Sequence, residues 1–108
     1  MGDVGKMMQI YGKMTERMRE MREHLESTTA VGEAGGGMVK ATVTAERGEL
    51  AGLDIDPSIL GAEDKEVVED LVVAAVREAQ TKAARILEEE KQKLIDELGL
   101  PKGMNLPY

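Results

Sequence analysis

From Val4 to Leu25 the apolar residues fall at Val4, Met7, Tyr11, Met14, Met18, Met21 and Leu25. The steps alternate between three and four, which is a heptad seam kept over three repeats. Between Lys6 and Glu26 only Gly12 is a poor helix former, at about 1 kcal/mol relative to Ala. The spacing predicts a helix of about 22 residues, roughly 33 Å long. Five methionines, Met7, Met8, Met14, Met18 and Met21, lie on or beside the seam. They suit adaptable packing against another helix, and they would also suit a Met-rich docking groove.

The period then changes. Ser27 to Val31 is β-branched and short, and reads as the start of a strand. Val39, Ala41, Val43 and Ala45 alternate with Lys40, Thr42 and Thr44, the pattern of a strand with one buried face. After a turn around Gly48, Ala51, Leu53 and Ile55 alternate with Gly52, Asp54 and Asp56 in a further strand. The three pieces make an antiparallel meander. Asp56 is placed to cap a helical turn opened by Pro57, where a missing N–H costs least, and Gly61 ends that turn. From Glu63 to Leu98 a second long helix is predicted, about 54 Å if continuous. Its apolar stripe begins with Val68, Leu71 and Val72 and passes through Ala75, Ala79 and Ala83, small residues that let a partner come close. It ends with Ile86, Leu87, Leu94 and Leu98. Gly99 stops the helix and Pro101 prevents its resumption. The expected fold is therefore α+β: long helix, three-stranded antiparallel sheet, long C-terminal helix. A single domain over 1–98 is followed by a flexible tail over 99–108.

Composition sharpens this. With 108 residues, no Phe, no Trp and two Tyr, the core is thin for a domain of this size. A partner chain that buries more apolar surface is expected. The absence of cysteine excludes disulfides and thiolate metal sites and suits a reducing cytoplasm. No apolar run approaches the ~20 residues of a membrane span, and the first residues lack a signal peptide's apolar core. A soluble, cytoplasmic protein is expected.

The segment "VGEAGGGMVK", Val31 to Lys40, gives Gly32 and Gly37 the G-x-x-x-x-G spacing of a phosphate loop. Such a loop needs Lys and Ser/Thr next, and here Met38 and Val39 follow. It also leads into a helix, whereas this one leads into a strand. The glycines are expected to supply positive φ and close backbone approach in a hairpin connection. Other chemistry is sparse. His24 is the only histidine and lies on a polar flank. Ser27 and Ser58, the only serines, have no imidazole partner. Asp54 and Asp56 share a strand face, a weak calcium arrangement set against solvation and capping by Asp56. No enzyme activity, cofactor, metal or small-molecule substrate is expected.

The net charge is −7, from 21 acidic and 14 basic residues, and by total it argues against a non-specific nucleic-acid binder. Placement qualifies the total. At about 100° per residue, Lys6, Lys13, Arg17 and His24 share a stripe about 40° wide. Glu16, Glu20 and Glu23 occupy the adjoining sector, while Arg19 and Arg22 flank the seam on its other side. One reading is a surface laced by i, i+4 pairs, Arg19 with Glu23 and Arg22 with Glu26. The other is a basic stripe, doubled in a dimer, that tracks phosphates through its local field.

The order of elements, together with "GEAGGGMVKATV" (Gly32 to Val43), "IDPSIL" (Ile55 to Leu60), "EDLVVAAVREA" (Glu69 to Ala79) and "GLP" (Gly99 to Pro101), resembles the YbaB/EbfC family of bacterial nucleoid-associated proteins. The likeness covers nearly the whole chain. It departs after the first long strand, where the family pattern has a glycine and this chain has Ala45 and Glu46. The resemblance implies a tweezer-shaped homodimer, with helices projecting from a shared sheet region. It implies double-stranded DNA as partner, bound with little or weak sequence preference, and a nucleoid-associated location. Chromosome organisation, gene regulation and replication or recombination are the implied roles.

In a helix–sheet–helix chain the ends farthest from the sheet are the start of the first helix and the finish of the second. DNA contacts are accordingly expected from Lys6, Lys13, Arg17, Arg19 and Arg22 on the first helix, and from Lys91 and Lys93, with Lys102 beyond, on the second. The acidic cluster Glu63 to Asp70 begins the second helix, near the sheet. Dimer contacts are expected at Met7, Tyr11, Met14, Met18 and Met21, with Val39 and Val43 of the first long strand. The rival reading is a protein–protein interaction module that docks a replication or recombination partner through the Met-rich helix.

Overall fold

The computed structural model describes residues 3–101. Helix α1 spans Asp3–Ser27. Strands β1 (Thr29–Ala34), β2 (Val39–Thr44) and β3 (Leu50–Ile55) follow. Two single 3-10 turns, Pro57–Ile59 and Ala62–Asp64, lead into helix α2, Lys65–Glu97. Asp56 caps the first turn as expected, its Oδ1 accepting from the Ser58 N–H at 2.8 Å. The second helix opens two residues later than the pattern suggested, because Glu63 and Asp64 sit in the preceding 3-10 turn.

The sheet has the order β1-β2-β3 and is antiparallel throughout. Strand β1 runs on through Gly32, so this glycine belongs to the strand and not, as expected, to the connection. The connection is made by Gly35, Gly36 and Gly37, at φ +65°, +67° and +88°. Gly32 answers a different need. A methyl group placed there would strike the backbone of α2, with Ala79 Cα at 2.9 Å and the Ala75 carbonyl and Ala79 nitrogen nearer still. Gly32 and the alanine stripe thus explain one another: both strip away side chain so that helix and strand can touch. The resulting core sets Ala30, Val39, Ala41 and Val43 of the sheet against Ala75, Ala79 and Ala83 of α2.

The two edges of the sheet differ. Along β1, the Lys82 ammonium donates to the Val31 carbonyl at 3.1 Å, and the Glu33 N–H donates to the Glu78 carboxylate at 3.3 Å. Helix α2 thereby occupies backbone groups that would otherwise template another strand. Strand β3 is less covered. A register slip between Thr42 and Val43 leaves Ala51 out of the pairing and brings Leu50 opposite Val43, so Leu50 joins Leu53 on the face that α2 occupies. Yet α2 lies over β1 and β2, and Leu50 and Leu53 stay 51% and 43% exposed.

A second cluster joins Met18, Met21 and Leu25 of α1 to Leu94 of α2 and to Ala45, with Met14, Ile86, Leu87 and Leu98 packed around it. The helices run antiparallel here: Arg17 pairs with Glu97, and His24 lies 4.0 Å from Glu90. Helix α2 stops at Gly99, at φ +68°, whose N–H donates to the Asp96 carbonyl while that of Leu100 donates to Ile95. This is a Schellman cap. Among the described residues, only α1 continues beyond that level. Its first eleven residues form an arm about 16 Å long, on which Val4, Met7, Ile10 and Tyr11 are between 57% and 68% exposed. The molecule measures 74 × 22 × 16 Å.

Candidate nucleic-acid interface

The arm is a helix by pattern and basic by omission. Between Val4 and Thr15 the chain has Lys6 and Lys13 and no acid. Both lysines are exposed, and neither makes an ion pair among the described residues. The acids Glu63, Asp64, Glu66, Glu69 and Asp70 sit at the other end of α2, about 50 Å along that helix from its finish. Acid is not confined to that end, since Glu88, Glu89, Glu90, Asp96 and Glu97 also line the finish of α2, so the expected segregation of charge is met between Val4 and Thr15 and not at the end of the second helix.

The remaining cations of the expected site are engaged. Arg17 pairs with Glu20 at 3.1 Å and with Glu97. Hydrogen bonding to Glu97, and then its charge, holds the guanidinium even more firmly protonated than usual. Arg19 lies between Glu16 and Glu23, the latter at 2.6 Å. The Arg19 hydrogen bond pulls the Glu16 carboxyl below its ordinary range. Lys93 approaches Glu90 at 3.6 Å, and Arg22 and Lys91 also have partners. Lys102 lies outside the described residues. Arg17 on the stripe and Arg19 beside the seam thus have carboxylate partners, as the salt-bridge reading expects, whereas Lys6 and Lys13 have none among the described residues.

Two cations were not singled out from the pattern. Arg77 and Arg85 are exposed and make no ion pair among the described residues. A helical projection finds them, since Arg77 lies opposite the Ala75, Ala79 and Ala83 stripe and Arg85 about 120° from its centre.

The expected dimer contacts separate in the same way. Val39 and Val43 are 0% exposed inside the chain's own core, so they have no surface left for a partner. Burial against α2 consumed what the alternation had offered. Met18 and Met21 are buried against Leu94, Met14 is half-buried, and only Met7 and Tyr11 remain open. Of the calcium arrangement, Asp56 is taken up as a cap and Asp54 stands opposite Lys40 across the sheet. Among the described residues no three His, Cys, Asp or Glu side chains are grouped to hold a metal, and no helix is long and apolar enough to cross a membrane.

Known proteins share this architecture and sequence. The sequence profile of the YbaB/EbfC DNA-binding family matches residues 1–98. A nucleoid-associated protein of Methylocella silvestris is 37% identical over 108 residues, the full length of both chains. One from Rhodopseudomonas palustris (strain HaA2) is 40% identical over 106 residues, covering 98% of this chain and 99% of its own. The crystal structure of an uncharacterized protein from Helicobacter pylori superposes with a TM-score of 0.61 at 26% identity, covering 87% of this chain and 94% of the other. The chain belongs to the YbaB/EbfC DNA-binding family.

Proposed function

We propose that the protein is nucleoid-associated and binds duplex DNA as a homodimer, without catalysis, through phosphate contacts made by the arm of α1. The observation that carries this reading is the acid-free stretch Val4 to Thr15, where Lys6 and Lys13 have no ion-pair partner among the described residues and the helix projects beyond the other described elements. Family membership supports it. Phosphate contacts position a protein without reading sequence, which suits a weak sequence preference and a role in chromosome organisation. Arg17, Arg19 and Lys93 contribute less, because each must exchange a carboxylate for a phosphate. The second copy pairs at β3, where an edge strand and the uncovered Leu50 and Leu53 offer both backbone and apolar surface. Met7 is not part of that contact, since it lies about 27 Å along α1 from Leu25, where the helix meets the sheet.

Changing Lys6 and Lys13 together to Ala is expected to weaken binding to unrelated duplexes alike. Four phosphate contacts per dimer are lost, so the slope of log K against log salt flattens by about 3.6. An unchanged slope removes the arm from the interface. The exposed Met7, Met8, Ile10 and Tyr11 favour a second reading, a protein partner docked on the arm. A stoichiometric partner retained after nuclease treatment of a lysate would support that one.

A further inference from the structure

On the arm the two lysines are not alone. At about 100° per residue Ile10 projects within about 60° of both Lys6 and Lys13, and Met7 about 60° further round. Side chains that large, 57% and 68% exposed on a helix with no packing partner among the described residues, would gain from an apolar surface to meet. If lysines beside them hold phosphates, the surface they meet belongs to DNA. Duplex DNA has one apolar group on its base edges, the thymine C5-methyl, and it lies in the major groove. That groove, about 12 Å wide, admits a helix, whereas the minor groove at about 6 Å does not. Hydrogen-bond readout is poorly provided for. Between Val4 and Thr15 there is no Arg and no Asn, and Gln9 is the only amide.

We propose that the arm of α1 lies in the major groove with Met7 and Ile10 against thymine methyl groups, which gives the protein a weak preference for thymine-bearing steps. The proposal rests on the DNA-binding reading and adds to it the groove, the chemical group and the residues. Each methyl so buried is worth about fourfold in affinity, too little to define a site and enough to bias occupancy.

The test compares two duplexes of one sequence, one with thymine and one with uracil in its place. They carry the same phosphates and differ only in the methyl groups. The wild-type protein is expected to bind the uracil duplex about fifteenfold more weakly for each engaged arm, about fourfold for each of its two methyls, with the same salt slope. The full-length variant Met7→Ser with Ile10→Ser is expected to bind both duplexes equally, at the weaker level and again with the same slope. Equal binding of the two duplexes by the wild type overturns the inference and leaves the DNA reading standing. Binding to neither duplex overturns the DNA reading, and the inference with it. If the double variant changes oligomeric state in sedimentation, the apolar face belongs to a protein interface and the inference fails.

Discussion

One heptad seam runs the length of α1, and its two halves meet opposite fates. Met18, Met21 and Leu25 are buried against α2, while Val4, Met7 and Tyr11, the same kinds of residue at the same spacing, face solvent. The difference is set elsewhere in the chain, by where Gly99 ends α2. An apolar period states that a face is to be covered. It does not state by what, and here the covered half is architecture while the bare half carries Lys6 and Lys13, without ion-pair partners among the described residues.

If the body is defined by close backbone contact and the arm is independent of it, the largest effect belongs to Gly32. Gly32→Ala sets a methyl against the backbone of Ala75 and Ala79, which no side-chain rotation can relieve, so α2 must lift off β1. A loss of about 3 kcal/mol or more is expected in urea unfolding, a large share of the stability of a small domain. Gly36→Ala is the contrast. Nothing lies within 4 Å of its added methyl and only the φ of +67° opposes it, a cost of about 1–2 kcal/mol. Equal midpoints for the two variants would mean that helix and strand are not in backbone contact.

The seam itself supplies the next test. Leu25 is 0% exposed, and Leu25→Ala is expected to cost about 2–5 kcal/mol through lost burial and the cavity left behind. Met7→Ala should leave global stability within about 0.5 kcal/mol, because the arm can open without the body. A comparable loss at both positions would erase the distinction between the halves.

Much of this was legible beforehand. Periods of three and four, then two, then again three and four, place all five long elements to within two residues except β1. That strand reads short in the sequence because Gly32 looks like punctuation when its neighbour in space, Ala75, is 43 positions away. The slip at Thr42 and Val43 left no local mark either, since alternation reads equally well with Ala51 or Leu50 on the inner face. For the candidate site the pattern places Lys6 and Lys13 on one helix face, and both are exposed there. It could not reveal that Arg17 would be claimed by Glu97, a partner 80 positions distant. Val39 and Val43 show the same limit, for alternation identifies a buried face without saying whether the burial is within or between chains.

The smallest expected effect concerns acid, and it separates body from arm by charge. The Glu78 carboxyl is held below its ordinary value of 4.5, first by its hydrogen bond to Lys82 and then by the Glu33 N–H. A group whose folded pKa is depressed adds stability that is fully present above the unfolded value and is lost as pH falls through the folded one. Above about pH 6 the melting temperatures of the wild type and of Glu78→Gln should therefore differ by a constant amount. Below 4.5 the gap should narrow, because the wild type gives up what the variant never had. The lowered carboxyls of Glu16 and Asp56 act in the same direction but are common to both proteins, so the difference isolates Glu78. Between Val4 and Thr15 the arm has no carboxyl, Asp3 at its start being the arm's one acid, so no such pH-dependent gap is expected from Lys13→Ala. A gap that stays constant to low pH would mean that the seal on the β1 edge draws no stability from the charge of Glu78.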